Sequence, residues 1–96
     1  MNKDIEQLRE EAEQLKKSKD FAVALKKYKE IVEIDAKDLD AQFQLGEMQH
    51  QLGELTNALS TYLCVVDLDP EHKKAVVKIE MIRSIMSFYN KDLINP

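Results

Sequence analysis

The stretch "ELTNALSTYLCVVDLDPEHKKA", residues 54–75, repeats the spacing of a stretch that lies earlier in the chain. Its Ala58 and Tyr62 have counterparts at Ala24 and Tyr28, 34 positions before them. Further pairs of similar size and polarity stand in the same register: Phe21 with Leu55, Leu25 with Leu59, Ile31 with Val65, Val32 with Val66, Ile34 with Leu68 and Asp35 with Asp69. Chance seldom keeps residue type in step over so many positions, so we interpret the chain as one structural unit written twice.

The matched pairs recur at spacings of three and four, which is the pattern of one apolar helix face. We predict a helix over residues 54–66, after a stop at Gly53, and an equivalent helix after the candidate cap Asp20. Asp38 is the candidate cap of an earlier helix in the second copy. Each copy has such an earlier helix, with apolar or small residues at Ile5, Leu8, Ala12 and Leu15 in the first copy and at Leu39, Phe43, Leu45, Gly46, Met48 and Leu52 in the second. Two antiparallel helices cannot bury their apolar faces alone, so the copies are expected to stack.

A fifth helix is predicted over residues 70–89, with Asp69 as its N-cap and Pro70 at its first helical position. One face, Ile79, Ile82 and Met86, is expected to pack on the second copy. A polar outer face suits a terminal capping helix and comprises Lys73, Glu80, Arg83, Ser84, Ser87 and Lys91. We therefore expect an all-α, single-domain α-α superhelix, with repeat 1 at about 5–38, repeat 2 at about 39–72 and the capping helix at about 70–89.

A 34-residue helix–turn–helix period resembles the tetratricopeptide repeat (TPR), whose pattern is W-x2-L-G-x2-Y, then A-x3-F, then P. The second copy matches this pattern at Leu45, Gly46, Ala58, Tyr62 and Pro70. It departs from the pattern at Gln42 and Gln49, where the family has large aromatic residues. The resemblance implies that Gly46 and Ala58 are small because the paired helices approach closely there.

The first copy resembles the family less closely. It keeps Ala24 and Tyr28, but Ala12 stands in place of the glycine and Ala36 in place of the proline. The match as a whole covers residues 5–72. The ending "FYNKDLINP" is similar to the endings of small stand-alone bacterial TPR proteins, so a complete chain is expected.

The resemblance implies a concave groove, lined by the first helix of each pair, that holds a peptide segment of a partner protein. The family's groove positions correspond to three sets of residues in this sequence: Glu6, Arg9, Glu13, Lys16 and Lys17 in the first helix, Asp40, Phe43, Glu47, His50 and Gln51 in the third, and Lys74, Val77, Lys78, Met81 and Ile85 in the last. From these and the clamp position Gln44, we choose Arg9, Glu13, Phe43, Gln44, Glu47, His50, Lys74 and Lys78 as the candidate site. Some members bind a C-terminal carboxylate through five such residues, and the matching places are Arg9, Glu13, Gln44, Lys74 and Lys78. An acid at Glu13 would repel that carboxylate, so we expect a mixed polar and apolar peptide groove without the clamp.

The last helix carries a second apolar stripe, at Val77, Met81, Ile85 and Phe88. An exposed stripe of this kind marks a contact site. The alternative function is therefore a self-assembling structural protein that forms a homodimer through this stripe. The other interpretation is that helix curvature or the C-terminal "YNKDLINP" covers it.

Composition argues against several other classes of protein. The 96 residues carry a net charge of −4, and the basic surplus that nucleic-acid binding requires is missing. No apolar run is long enough for a membrane span. One cysteine, Cys64, and two histidines predict neither a disulfide nor a metal site, and Cys64 is expected to be a small buried apolar residue. We expect a cytoplasmic, non-enzymatic protein without cofactors.

Overall fold

The computed structural model describes residues 4–89, and these residues form five helices and no strand. The helices are α1 (Ile5–Lys17), α2 (Phe21–Ile34), α3 (Leu39–Gln51), α4 (Leu55–Leu68) and α5 (Lys73–Tyr89). Each helix packs on the next one along the chain, α1 on α2, α2 on α3, α3 on α4 and α4 on α5. The predicted all-α fold of stacked helix pairs with a terminal helix is therefore confirmed.

Corresponding turns join the two helices of each pair. Lys19 and Gly53 stand 34 positions apart, and both have left-handed backbones, with φ of 63° and 77°. At Gly53 this conformation is available without a Cβ penalty, as the predicted stop requires. Asp38 accepts a hydrogen bond from the Ala41 N–H at 3.0 Å and so caps α3 as predicted. Asp20 occupies the N-cap position of α2 as predicted, and its carbonyl accepts from the Ala24 N–H at 3.0 Å, but its side chain makes no capping hydrogen bond.

The start of α5 also differs from the prediction. Asp69 is the C-cap residue of α4. Its carboxylate accepts a hydrogen bond from the Glu71 N–H at 3.1 Å, and its carbonyl accepts one from the His72 N–H at 3.0 Å. This turn occupies the residues that were predicted to begin the helix, so Pro70 lies outside α5. His72 is the cap instead, since its Nδ1 accepts from the Ala75 N–H at 3.1 Å.

Two clusters of buried side chains form the core. One joins α1, α2 and α3 around Leu8, Ala12, Ala24, Tyr28, Ile31, Ala41, Leu45 and Met48. The other joins α4 and α5 around Ala58, Tyr62, Val65, Ala75, Ile79 and Ile82, with Met86 partly buried against it. The expected packing of α5 on the second helix pair is therefore observed.

The close approach expected at Gly46 is present. A Cβ at this position would lie 2.8 Å from Cε1 of Tyr62, whose side chain is fully buried.

The expectation for Cys64 was wrong, because this residue is exposed on α4. Its neighbours in sequence, Tyr62 and Val65, take the inward positions instead.

Candidate functional site

A groove of about 500 Å³ lies along α3, between the end of α1 and the first turns of α5. Helix α3 provides its floor, α5 forms one side, and Lys16 and Phe21 form the other. The complete lining is Lys16, Phe21, Phe43, Gln44, Glu47, Met48, Gln51, Lys73, Lys74, Val77 and Lys78. Apolar side chains thus meet a rim of lysines and amides in one concave surface.

Phe43 is the aromatic residue of the floor, and two neighbouring rings hold it in place. Its ring centroid lies 4.9 Å from that of His72 and 5.7 Å from that of Tyr62. His72 is itself fixed because it caps α5. Phe43 remains only partly buried, so it combines a fixed position with accessible apolar surface.

Glu47 is the acidic residue of the groove, and its carboxylate already has partners. The Tyr62 hydroxyl donates to its Oε1 at 2.8 Å, and Lys78 Nζ lies 3.8 Å from the same oxygen. Burial of the Tyr62 ring raises the pKa of this hydroxyl above its ordinary value, and the hydrogen bond to Glu47 raises it further. The Tyr62 hydroxyl therefore stays protonated and keeps donating its hydrogen bond to Glu47 Oε1.

Four lysines surround the apolar floor. Lys16 Nζ donates to Gln44 Oε1 at 3.1 Å, and Lys78 lies near Glu47. Lys73 and Lys74 are exposed and make no ion pair within residues 4–89. The groove therefore carries more positive than negative charge, on a chain whose net charge is −4.

The sequence-predicted groove residues divide into two groups. Phe43, Gln44 and Glu47 from α3 and Lys74 and Lys78 from α5 all line the groove. Lys16, Gln51 and Val77 also line it. The predicted groove residues that do not line it are Arg9, Glu13 and His50, together with Glu6, Lys17, Asp40, Met81 and Ile85. Glu13 instead borders a separate surface depression between α1 and α2.

Arg9 does not line the groove because its guanidinium binds two carboxylates near the start of α3. Its guanidinium donates to Asp38 Oδ2 at 2.6 Å and to Asp40 Oδ2 at 2.7 Å. The hydrogen bond from Arg9 holds the pKa of Asp38 below its ordinary value. Arg9 thus ties α1 to the start of α3, and the five positions of the family's carboxylate clamp are not brought together in this groove.

Sequence reasoning missed three lining residues, Phe21, Met48 and Lys73. Lys73 was overlooked because its helical spacing with Glu80, Arg83 and Ser84 assigned it to the polar outer face. The side chains of Phe21 and Met48 lie at the border between core and groove. Their apolar spacing indicated only that they point inward, and inward-pointing residues line both the core and the groove.

The apolar stripe of α5 is largely exposed in the described part of the chain. Val77 is 56% exposed, Met81 41% and Phe88 76%, whereas Ile85 is half-buried. The predicted outer-face residues of α5 up to Ser87 are exposed as expected. Lys91 and most of the "YNKDLINP" segment lie outside the described residues.

No protein-family model matches this sequence, and no curated protein matches it at a significant level. Between residues 4 and 89, no helix is both long and apolar enough to cross a bilayer. No group of three or more His, Cys, Asp or Glu side chains in that range is arranged to hold a metal ion.

Proposed function

We propose that this chain is a TPR-type interaction module that binds a peptide segment of another protein in the groove between α3 and α5. The observation that carries the proposal is the partly exposed Phe43, held at the floor of a concave surface with charged residues at its rim. Fixed aromatic side chains supply contact area at low entropic cost, and rim charges provide orientation and selectivity. The exposed thiol of Cys64 fits a reducing compartment, and we propose the cytoplasm.

The proposed role is non-enzymatic because the groove side chains do not form a catalytic set. Its polar members are lysines, two glutamines and Glu47, whose carboxylate is engaged by Tyr62 and Lys78. A nucleophile needs an adjacent base within hydrogen-bond reach. The lining offers contacts for binding and no such pair.

The test compares two variants: one places a negative charge on the apolar surface of the groove, and the control places an equal charge outside the groove. Val77→Asp changes a 56% exposed groove residue on α5, and Leu63→Asp changes a 38% exposed residue on α4 away from the groove. Peptides selected from a random library against the wild-type protein should bind Val77→Asp at least about tenfold more weakly, since a rim-facing apolar contact contributes on the order of 1–2 kcal/mol.

Leu63→Asp should retain the wild-type affinity, and circular dichroism should show equal helicity for both variants. Selected peptides that bind all three proteins equally would contradict the groove as the binding site. Amide chemical-shift changes that map to α2 and α4 rather than to α3 and α5 would contradict it independently.

The exposed stripe Val77, Met81, Ile85 and Phe88 favours a second candidate function, a structural protein that self-associates. Sedimentation equilibrium over a wide concentration range tests it. A dimer that Met81→Glu weakens, and that Arg83→Glu at an exposed position of the same helix leaves intact, would support this alternative. A monomer at every concentration would reject it.

A further inference from the structure

We infer that the groove selects acidic peptide segments that carry an apolar side chain between their acidic residues. This inference rests on the proposed function above and names the chemistry of the partner. Its basis is the charge and the apolar surface that the described residues bring together along α3 and α5.

The charges of the groove are complementary to an acidic peptide. Lys16, Lys73, Lys74 and Lys78 line the groove, against the single carboxylate of Glu47. That carboxylate is hydrogen-bonded to Tyr62 and lies 3.8 Å from Lys78 Nζ, so it does not neutralise the other three ammonium groups. A concentrated positive region on a chain of net charge −4 attracts anionic partners and disfavours cationic ones.

Lys73 and Lys74 are unfavourably placed within the fold. They are the first two residues of α5, at the end of the helix dipole where positive charge is disfavoured. The first turns of α1 and α3 contain the acidic residues Glu6 and Asp40, and those of α2 and α4 contain no charged residue, so among the five described helices α5 alone begins with lysines. A local arrangement that opposes folding is expected where a bound partner offsets it.

The position of the apolar surface also supports the inference. Phe43 on α3 lies between Lys16 at the end of α1 and Lys73 and Lys74 at the start of α5, and Val77 of α5 lines the same groove. An apolar anchor seated there places the residues before and after it near ammonium groups. Packed helix axes lie about 10 Å apart, so two such spacings, from α1 to α3 and from α3 to α5, correspond to roughly six residues of extended peptide.

Acidic side chains, rather than a chain terminus, are the expected anionic groups. Lysine acts as a flexible point charge, while planar bidentate recognition of one carboxylate is characteristic of arginine. Arg9 is occupied by Asp38 and Asp40 and does not line the groove. Lysines spread around the rim therefore favour several separate carboxylates.

The experiment uses a random library of peptides of about eight residues, each with a blocked N-terminus and an amidated C-terminus so that only side chains can supply charge. The wild-type protein is used for selection, and Val77→Asp gives the background. Binders enriched in Asp and Glu around a Leu, Ile, Phe or Met are expected. Their affinity should fall as ionic strength rises from about 0.01 M to about 0.15 M, because the screening length shrinks from about 30 Å to about 8 Å.

A matched pair of double variants then tests the lysines. Lys73→Glu with Lys74→Glu should weaken the acidic binders at least about tenfold, because two attractions become repulsions. Lys26→Glu with Lys29→Glu makes the same change in net charge at exposed positions of α2 and should alter affinity less than about twofold. Reversing the charge at the start of α5 also relieves the dipole conflict, so loss of folding is not expected to complicate the result.

The outcomes separate this inference from the proposed function. Binders without an excess of acidic residues, or acidic binders that both double variants weaken equally, would overturn the inference and leave a peptide groove standing. A library in which no peptide binds above the Val77→Asp background would overturn both. Preference for a single-stranded oligonucleotide over every peptide would overturn both as well.

Discussion

At the residue scale, two tyrosines at the same repeat position have different surroundings. Tyr28 and Tyr62 are both fully buried. The Tyr62 hydroxyl donates to Glu47, whereas the Tyr28 hydroxyl is buried without a hydrogen-bond partner among the described residues. Burial raises the pKa of Tyr28 to about 12, with a smaller contribution from Glu13, which stands where the second repeat has Glu47. Glu13 is exposed and does not accept this proton.

This difference predicts unequal effects of removing the two hydroxyls. Tyr62→Phe should lower the free energy of unfolding by about 1–2 kcal/mol, because a hydrogen bond to a carboxylate is lost. Tyr28→Phe should leave it unchanged or raise it slightly, because an unpaired buried hydroxyl costs free energy. Urea unfolding followed by circular dichroism measures both. Equal losses in the two variants would show that the hydroxyls have equivalent environments and would contradict the pairing described here.

At the element scale, Arg9 joins α1 to the beginning of α3. Its guanidinium contacts Asp38 and Asp40, and Asp38 also caps α3 through the Ala41 N–H. One carboxylate thus serves both a helix cap and an interhelical ion pair. Protonation of Asp38 should therefore weaken both the cap of α3 and the contact between α1 and α3.

Arg9→Met should lower the free energy of unfolding at neutral pH by about 1–2 kcal/mol. Since the folded-state pKa of Asp38 lies below its unfolded value, the pair contributes its full stability above the unfolded pKa of about 3.9 and loses it as pH falls through the folded pKa. The difference between wild type and Arg9→Met should therefore shrink below about pH 4. Unfolding by urea across a pH series measures it.

Arg83→Met is the control for the loss of one positive charge, because Arg83 is exposed and makes no ion pair in the described range. This variant should match the wild type at every pH. A difference between wild type and Arg9→Met that stays constant down to low pH would show that packing of the arginine side chain, and not its charge, provides the stability.

At the scale of the whole molecule, stability depends on a stack in which, within residues 4–89, the last helix packs mainly on α4. Helix α5 packs on α4 through Ala75, Ile79 and Ile82, and its opposite side is exposed. A chain of 96 residues buries a smaller share of its surface than larger domains do. Each residue of the α4–α5 contact therefore matters to the entire structure.

Ile82→Ala should lower the free energy of unfolding by about 2–4 kcal/mol, because it leaves a cavity beside Val65 and Tyr62 in the second core cluster. That is a large fraction of the roughly 5–10 kcal/mol expected for a domain of this size. Val76→Ala, at a 36% exposed position of the same helix, should cost well under about 1 kcal/mol. Equal midpoints for these two variants in urea unfolding would contradict the packing of α5 on α4.

The elements were predictable to different degrees. The helices follow from apolar spacing, and the cap at Asp38 and the turn at Gly53 follow from residue type. The close helix approach at Gly46 was expected from the resemblance to the TPR pattern. The start of α5 was misplaced because an Asp-Pro pair suits a helix start as well as a turn. In the structure, the Asp69 carboxylate and carbonyl stabilise the turn.

The sequence by itself determined the all-helical fold and its repeat, because these depend on side chains three, four or 34 positions apart in a regular pattern, whereas the close helix contact at Gly46 was expected from the resemblance to the TPR pattern. Only the tertiary structure decided that Arg9 turns to Asp38, that Cys64 is exposed and that Lys16 and Phe21 face Lys73 across α3. Those arrangements depend on how separate helices are positioned and on which charged groups they bring within contact distance. Local periodicity carries no record of such long-range choices.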